Sequence, residues 1–214
     1  MKEQKWKNQY IMFDLTRLNN EIWYWDNTIS YPKEFLELIN NLDLNTLSYS
    51  MIPKWENWFA SNDSEKLYGQ VKNIKSDSVN QKNIDDRIYQ NSLYIINSLK
   101  MAAEMCFDQY LNARSLDKSK YYIDLSYVPV KKWNPVSSMG PHFDGGPGFE
   151  NLEYTTVTYL NDDYKGGEIV FPNDNITLKP KAGSTIMFPS STIHQVNPVI
   201  SGNRYTSTNS INMI

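Results

Sequence analysis

From Lys120 to Ile214 the sequence breaks into short apolar runs, each bounded by Pro, Gly, Asn or Asp, and that rhythm restricts the C-terminal half to strands. The candidate strands are Tyr121–Val128, Tyr154–Leu160, Glu168–Phe171, Ile176–Leu178, Ser184–Phe188, His194–Ile200 and Tyr205–Asn212. Many short strands at this spacing bury their apolar faces in a sandwich or jelly roll. The expected fold is mainly β with α: a double-stranded β-helix (jelly roll) supported by N-terminal helices.

The first half has a different period. An aromatic, strand-like run, Glu21–Tyr31, leads to Pro32, which fits the first turn of a helix carrying Phe35, Leu36, Leu38, Ile39 and Leu42. Residues 43–82 alternate anchors such as Trp55, Trp58 and Phe59 with polar loops and give no assignment. A second helix is predicted from an N-cap at Asn83, with Asp85 and Asp86 in its first turn. Ile88, Ile95, Leu99, Ala102, Cys106 and Tyr110 form one apolar face that would pack along a sheet. Cys106, the only cysteine, reads as a core residue on that face. The predicted organisation is residues 1–120 as an N-terminal strand and helices packing on a core of residues 121–214, in one structural unit.

The chain has two histidines, and both fall in the strand-rich half: His142, in His142-Phe-Asp144, and His194. Residues i and i+2 of a strand share a face, so His142 and Asp144 can take adjacent positions on one metal ion. His194, at the start of another strand, supplies a third ligand. Two imidazoles and one carboxylate are the donor set of non-haem Fe(II) sites with open coordination positions. A lone His-x-Asp before Gly145-Gly146 also suits a plain turn, so the motif alone decides little. Arg204, one of four arginines, follows ten residues after His194. Its planar fork suits a carboxylate, and Thr206, on the same strand face, could add a hydroxyl. A surface salt bridge is the ordinary alternative for Arg204.

These residues belong to an ordered series: His142-Phe-Asp144, Thr158-Tyr-Leu-Asn161, Gly166-Gly-Glu-Ile-Val-Phe-Pro172, Lys179-Pro-Lys-Ala-Gly183, Phe188-Pro-Ser-Ser191, and His194 through Arg204. Across about residues 121–212 the series resembles the Fe(II)/2-oxoglutarate-dependent dioxygenases of the prolyl 4-hydroxylase-like kind. The resemblance implies Fe(II) on His142, Asp144 and His194, with 2-oxoglutarate and O2 as co-substrates and ascorbate as a further reductant. It implies that Arg204 and Thr206 hold the far carboxylate of the keto acid, and that Tyr127 bonds the co-substrate from the opposite wall. It also implies hydroxylation of a C–H bond, most simply in a prolyl residue of a peptide or protein. Tyr127 stands fifteen residues before His142, so a loop, Pro129–Pro141, is expected to intervene and to carry Trp133 near the substrate. Gly166, Gly167 and Gly183 are read as backbone-geometry residues.

Composition narrows the alternatives. Net charge is −3, and the sequence holds no basic run beyond Lys131-Lys132, which argues against a nucleic-acid footprint. Arg204 is the last arginine, whereas a nucleic-acid demethylase of this kind would be expected to show a second one after the anchor. No stretch approaches a membrane span, and the start lacks a signal-peptide core. A cytoplasmic protein of a bacterium or of a virus-infected host cell is expected, the Asn- and Lys-rich usage and the arginine at the anchor leaning that way. A hydroxylase of free amino acids or other small molecules, and a non-catalytic jelly-roll binding protein, remain open at this stage, as does oligomeric state.

Overall fold

The structure, a computed structural model, describes residues 14–42, 54–60, 63–75, 86–123 and 127–214. Along the chain these form β1 (Leu15–Arg17), β2 (Trp23–Trp25), α1 (Pro32–Asn41), β3 (Glu56–Ala60), β4 (Asp63–Lys75) and α2 (Asp86–Arg114). Then come β5 (Tyr121–Ile123), β6 (Tyr127–Trp133), β7 (Met139–His142), β8 (Leu152–Tyr159), β9 (Lys165–Gly166) and β10 (Ile169–Phe171). The chain closes with β11 (Ile176–Leu178), β12 (Thr185–Pro189), β13 (His194–Val196), β14 (Val199–Ser201) and β15 (Arg204–Met213). The fold is mostly β with few helices.

Among the described residues, nine strands make one large sheet in the order β1-β2-β12-β8-β15-β6-β4-β3, with β5 also paired to β15. A smaller sheet runs β11-β10-β13-β7, and β14 pairs with β9. All these pairings are antiparallel. β1–β4 precede residue 120 and are hydrogen-bonded into the same sheet as the later strands. Within the unassigned stretch 43–82, residues 56–60 and 63–75 pair as a hairpin that edges this sheet.

Strand alternation divides the large sheet into two faces. On one face, Val128 and Val130 of β6 and Ile74 of β4 meet Ile95, Leu99 and Ala102 of α2 and Phe35 and Ile39 of α1. Further along, Trp23 and Trp25 of β2, Met187 and Ile211 meet Cys106, Phe107 and Tyr110 of α2. Every residue of the apolar stripe predicted for α2 is buried. Burying a large apolar side chain contributes about 1.5–3 kcal/mol, so this face carries much of the stability. On the other face, Ile186, Phe188 and Tyr159 pack against Ile169 and Phe171 of the small sheet. Pro32 starts α1 as predicted, while the expected N-cap Asn83 lies outside the described residues.

Three expectations are corrected. The strand predicted over Tyr121–Val128 is two strands, and residues 124–126 between them lie outside the described residues. The second, β6, continues to Trp133 through what the sequence suggested was a loop. Pro129 misled that reading, but β15 pairs with β6 only over Val130–Trp133, so the missing N–H removes no rung of that ladder. The run His194–Ile200 is also two strands, in different sheets. Pro198 separates them, after which the chain turns to pair with β9.

Candidate functional site

The two histidines face each other as a cross-strand pair, His142 at the end of β7 and His194 at the start of β13. Each turns Nδ1 toward a carbonyl two residues earlier, His142 to Gly140 O at 2.8 Å and His194 to Thr192 O at 3.0 Å. A carbonyl only accepts, so Nδ1 is the donor in both rings and Nε2 is the nitrogen left to face a metal. Burial lowers the His194 pKa, the Asp144 charge opposing it, and so favours the neutral ring that a metal requires.

Asp144 was expected on the same strand as His142, but β7 has ended there and other bonds position it. Its N–H donates to Ser190 O at 2.9 Å, and its Oδ2 accepts from the Thr155 hydroxyl at 2.7 Å. Oδ1 is left 3.6 Å from His142 Nε2 and 3.7 Å from His194 Nε2. One ligand atom from each residue lies within 4.8 Å of the others, so the three could hold a single metal ion. Two imidazole nitrogens, one free carboxylate oxygen and a hydrogen bond that fixes each donor residue suit a divalent transition metal.

Arg204 opens β15 and points into the same chamber, of about 390 Å³. It is 1% exposed. Its guanidinium lies 4.9 Å from the Trp133 ring centre and 5.1 Å from that of Tyr159. Nε and one terminal nitrogen have no hydrogen-bond partner, and among the described residues no carboxylate pairs with it. Gly167 explains how the side chain fits: a Cβ there would meet Arg204 Cδ at 3.0 Å, and φ of +67° already favours glycine. Asn161 fixes the backbone on both sides, accepting from Tyr205 N at 2.8 Å and donating to Asn203 O at 2.7 Å.

Thr206, also buried, accepts the Trp133 indole N–H at 3.1 Å, which leaves its own proton free to be donated. The Tyr159 and Tyr164 hydroxyls are buried and make no well-formed hydrogen bond, the Arg204 guanidinium being the donor that lies nearest to them. Burial raises the pKa of both, opposed by the Arg204 charge, so both remain donors. The structure thus brings together His142, Asp144, His194, Arg204 and Thr206. Tyr127 begins β6, but its side chain lies outside the described residues; the aromatic that β6 sets beside Arg204 is Trp133, in direct register with it. Sequence reading gave no role to Tyr159 or Thr155, although Thr155, Val157 and Tyr159 alternate along one strand and all line the chamber.

Comparison with known proteins bears on this geometry. Residues 130–212 match the 2OG-Fe(II) oxygenase superfamily. The resemblance to prolyl 4-hydroxylase-like oxygenases stands on that match and on similar proteins. A PKHD-type hydroxylase of Maricaulis maris is 34% identical over 85 residues, which are 37% of this chain and 39% of that protein. The chain therefore spans about two fifths of that relative's length. A viral collagen prolyl hydroxylase from Paramecium bursaria Chlorella virus-1, solved with 2OG, superposes with a TM-score of 0.56 at 19% identity, covering 91% of this chain and 96% of that one. A Trichoplax adhaerens prolyl hydroxylase, solved with a hypoxia-inducible-factor peptide fragment, gives a TM-score of 0.64 at 18% identity, covering 91% and 84%. At those identities the likeness is one of fold. Among the described residues no helix is long and apolar enough to cross a membrane.

Proposed function

We propose that the chain is an Fe(II)- and 2-oxoglutarate-dependent oxygenase that hydroxylates a C–H bond, and that its substrate is a prolyl residue of a peptide or protein. The observation that carries this reading is Arg204. A buried guanidinium without a counter-charge is costly, ~3–5 kcal/mol when its partner is missing, and this one shares a chamber with the His142, Asp144 and His194 donors. A small molecule with a carboxylate at one end and a metal-chelating group at the other satisfies both, and 2-oxoglutarate is such a molecule.

In this reading His142 Nε2, Asp144 Oδ1 and His194 Nε2 hold the iron. Arg204 grips the distal carboxylate of the keto acid, and Thr206 and Tyr159 donate hydroxyl protons to it. Trp133 fixes the Thr206 hydroxyl and covers one face of the guanidinium, which keeps water from competing for the charge. Bound with 2-oxoglutarate and O2, the iron supplies the oxidising power for C–H hydroxylation while the keto acid leaves as succinate and carbon dioxide, ascorbate keeping the metal reduced. The two facing sheets are read as a double-stranded β-helix, the small sheet bringing the histidines and the large one Arg204. A peptide substrate is supported by the names of the viral and Trichoplax neighbours and by an aromatic rim, where Phe143 is 49% and Phe149 64% exposed.

The test is an anaerobic titration with Fe(II) and 2-oxoglutarate, watched for a visible charge-transfer band. The band is expected in the wild type and lost in His194→Ala; a well-folded wild type without it rejects the reading. Turnover of 2-oxoglutarate with proline-containing peptides should then exceed turnover with free amino acids. The reverse order would replace the peptide with a small molecule.

A further inference from the structure

The proposed reaction makes no use of Lys131, yet this residue faces the chamber. Alternation along β6 puts Lys131 on the side of Trp133, and its register partner is Thr206. Its ammonium donates to the Thr208 hydroxyl at 3.3 Å and lies 4.9 Å from the Trp58 ring centre. Among the described residues no carboxylate pairs with it. A lysine of this length ordinarily carries its charge out to water. Here burial holds the ammonium pKa below its ordinary value, Asp144 opposing and Arg204 adding to the effect, so the group lies within the fields of both.

The charges of the loaded site make the point sharper. A divalent metal and Arg204 together carry three positive charges, and Asp144 and a dianionic keto acid carry three negative ones. A protonated Lys131 adds one positive charge in excess, which an anion beside it would stabilise. Thr208, which holds its ammonium, is four residues along β15 from Arg204, a backbone span of roughly 13 Å, so the two cations are anchored at different points of the chamber wall. We propose that Lys131 is a second carboxylate-binding residue of the chamber, acting on a carboxylate other than the one that Arg204 takes. The inference rests on the function proposed above. The charge count favours a carboxylate brought by the primary substrate; the metal-side carboxylate of the keto acid has the same chemistry, and the experiment separates the two.

The full chain is loaded anaerobically with Fe(II), as wild type, Lys131→Met, Lys131→Arg and Arg204→Met. One titration follows the charge-transfer band as 2-oxoglutarate is added. A second starts from saturated protein and adds N-acetyl-L-proline or, in parallel, N-acetyl-L-prolinamide, which differ only in the carboxylate. Lys131→Met is expected to weaken one of these binding steps tenfold or more, and Lys131→Arg to restore most of it. A loss in the keto-acid step assigns the carboxylate to the co-substrate. A loss of the preference for N-acetyl-L-proline over its amide assigns it to the primary substrate. If Lys131→Met leaves both steps within twofold while Arg204→Met loses the band, the assignment of Lys131 is overturned and the function proposed stands. If the wild type gives no band, that function falls, and this inference with it.

Discussion

The two faces of the large sheet use the same strands for opposite ends. On the helix side, Val128, Val130 and Ile211 are fully buried among α1 and α2. On the chamber side, Lys131, Trp133, Arg204, Thr206 and Thr208 alternate with them along β6 and β15, and two of the Arg204 guanidinium nitrogens lack a hydrogen-bond partner and a counter-charge among the described residues. Where the helices cover the sheet, the buried polar atoms without a partner are neutral ones, Ser92 Oγ, Ser207 Oγ and Asn209 Nδ2, and no charge is orphaned there among the described residues. Where the chamber opens, unsatisfied groups face inward, and they are the ones a ligand would complete.

Breaking the chamber side should cost function first. Asp144→Ala or His194→Ala is expected to reduce the charge-transfer band and 2-oxoglutarate turnover to background, with the thermal midpoint near that of the wild type. Arg204→Met should weaken 2-oxoglutarate binding by ~2–5 kcal/mol, the usual cost of losing one partner of a buried charge pair, read in the same titration. On the helix side, Leu99→Ala should cost ~2–5 kcal/mol in urea unfolding and leave 2-oxoglutarate affinity within twofold; a large affinity loss would show that the faces are not separable. Thr155→Val, which frees only Asp144 Oδ2, should lower Fe(II) affinity about 10- to 100-fold.

The smallest effect is expected away from both faces, at Asp26. Burial acts to raise its pKa, but hydrogen bonds from Tyr24 and Lys181 and the Lys181 charge outweigh it, so the pKa is lowered. A carboxylate with a lowered folded pKa contributes stability above its unfolded value, and that contribution disappears as pH falls through the folded value. Asp26→Asn should therefore lose less thermal stability than the wild type between pH 7 and acid pH below the usual carboxylate range, with equal losses removing the argument.

The legible parts of the sequence were those whose chemistry is local. The α2 stripe from Ile88 to Tyr110 follows from helical periodicity, and Pro32 marks a helix start by its own geometry. His142, His194 and Arg204 were visible as rare residue types, and Asp144 by its spacing from His142. What stayed hidden depended on partners distant in sequence. Trp133 looked like a loop residue because its place in a strand is set by β4 and β15, and the residues after Pro129 carry no apolar alternation to announce it. Thr155 looks like any strand threonine until Asp144 is seen to bond it. The split at Asn197-Pro198 could be suspected from the proline, but not that its two sides join different sheets.

That split has a mechanical consequence. His142 and His194 hang from the small sheet, whereas Arg204 and the Thr155 that steadies Asp144 belong to the large one. Any molecule bound at both ends of the chamber is therefore a non-covalent cross-link between the sheets, joining surfaces that otherwise meet through side-chain packing. Its arrival should slow amide hydrogen exchange in β7, β13 and the first residues of β15 together, while α2, already anchored on the far face, exchanges as before.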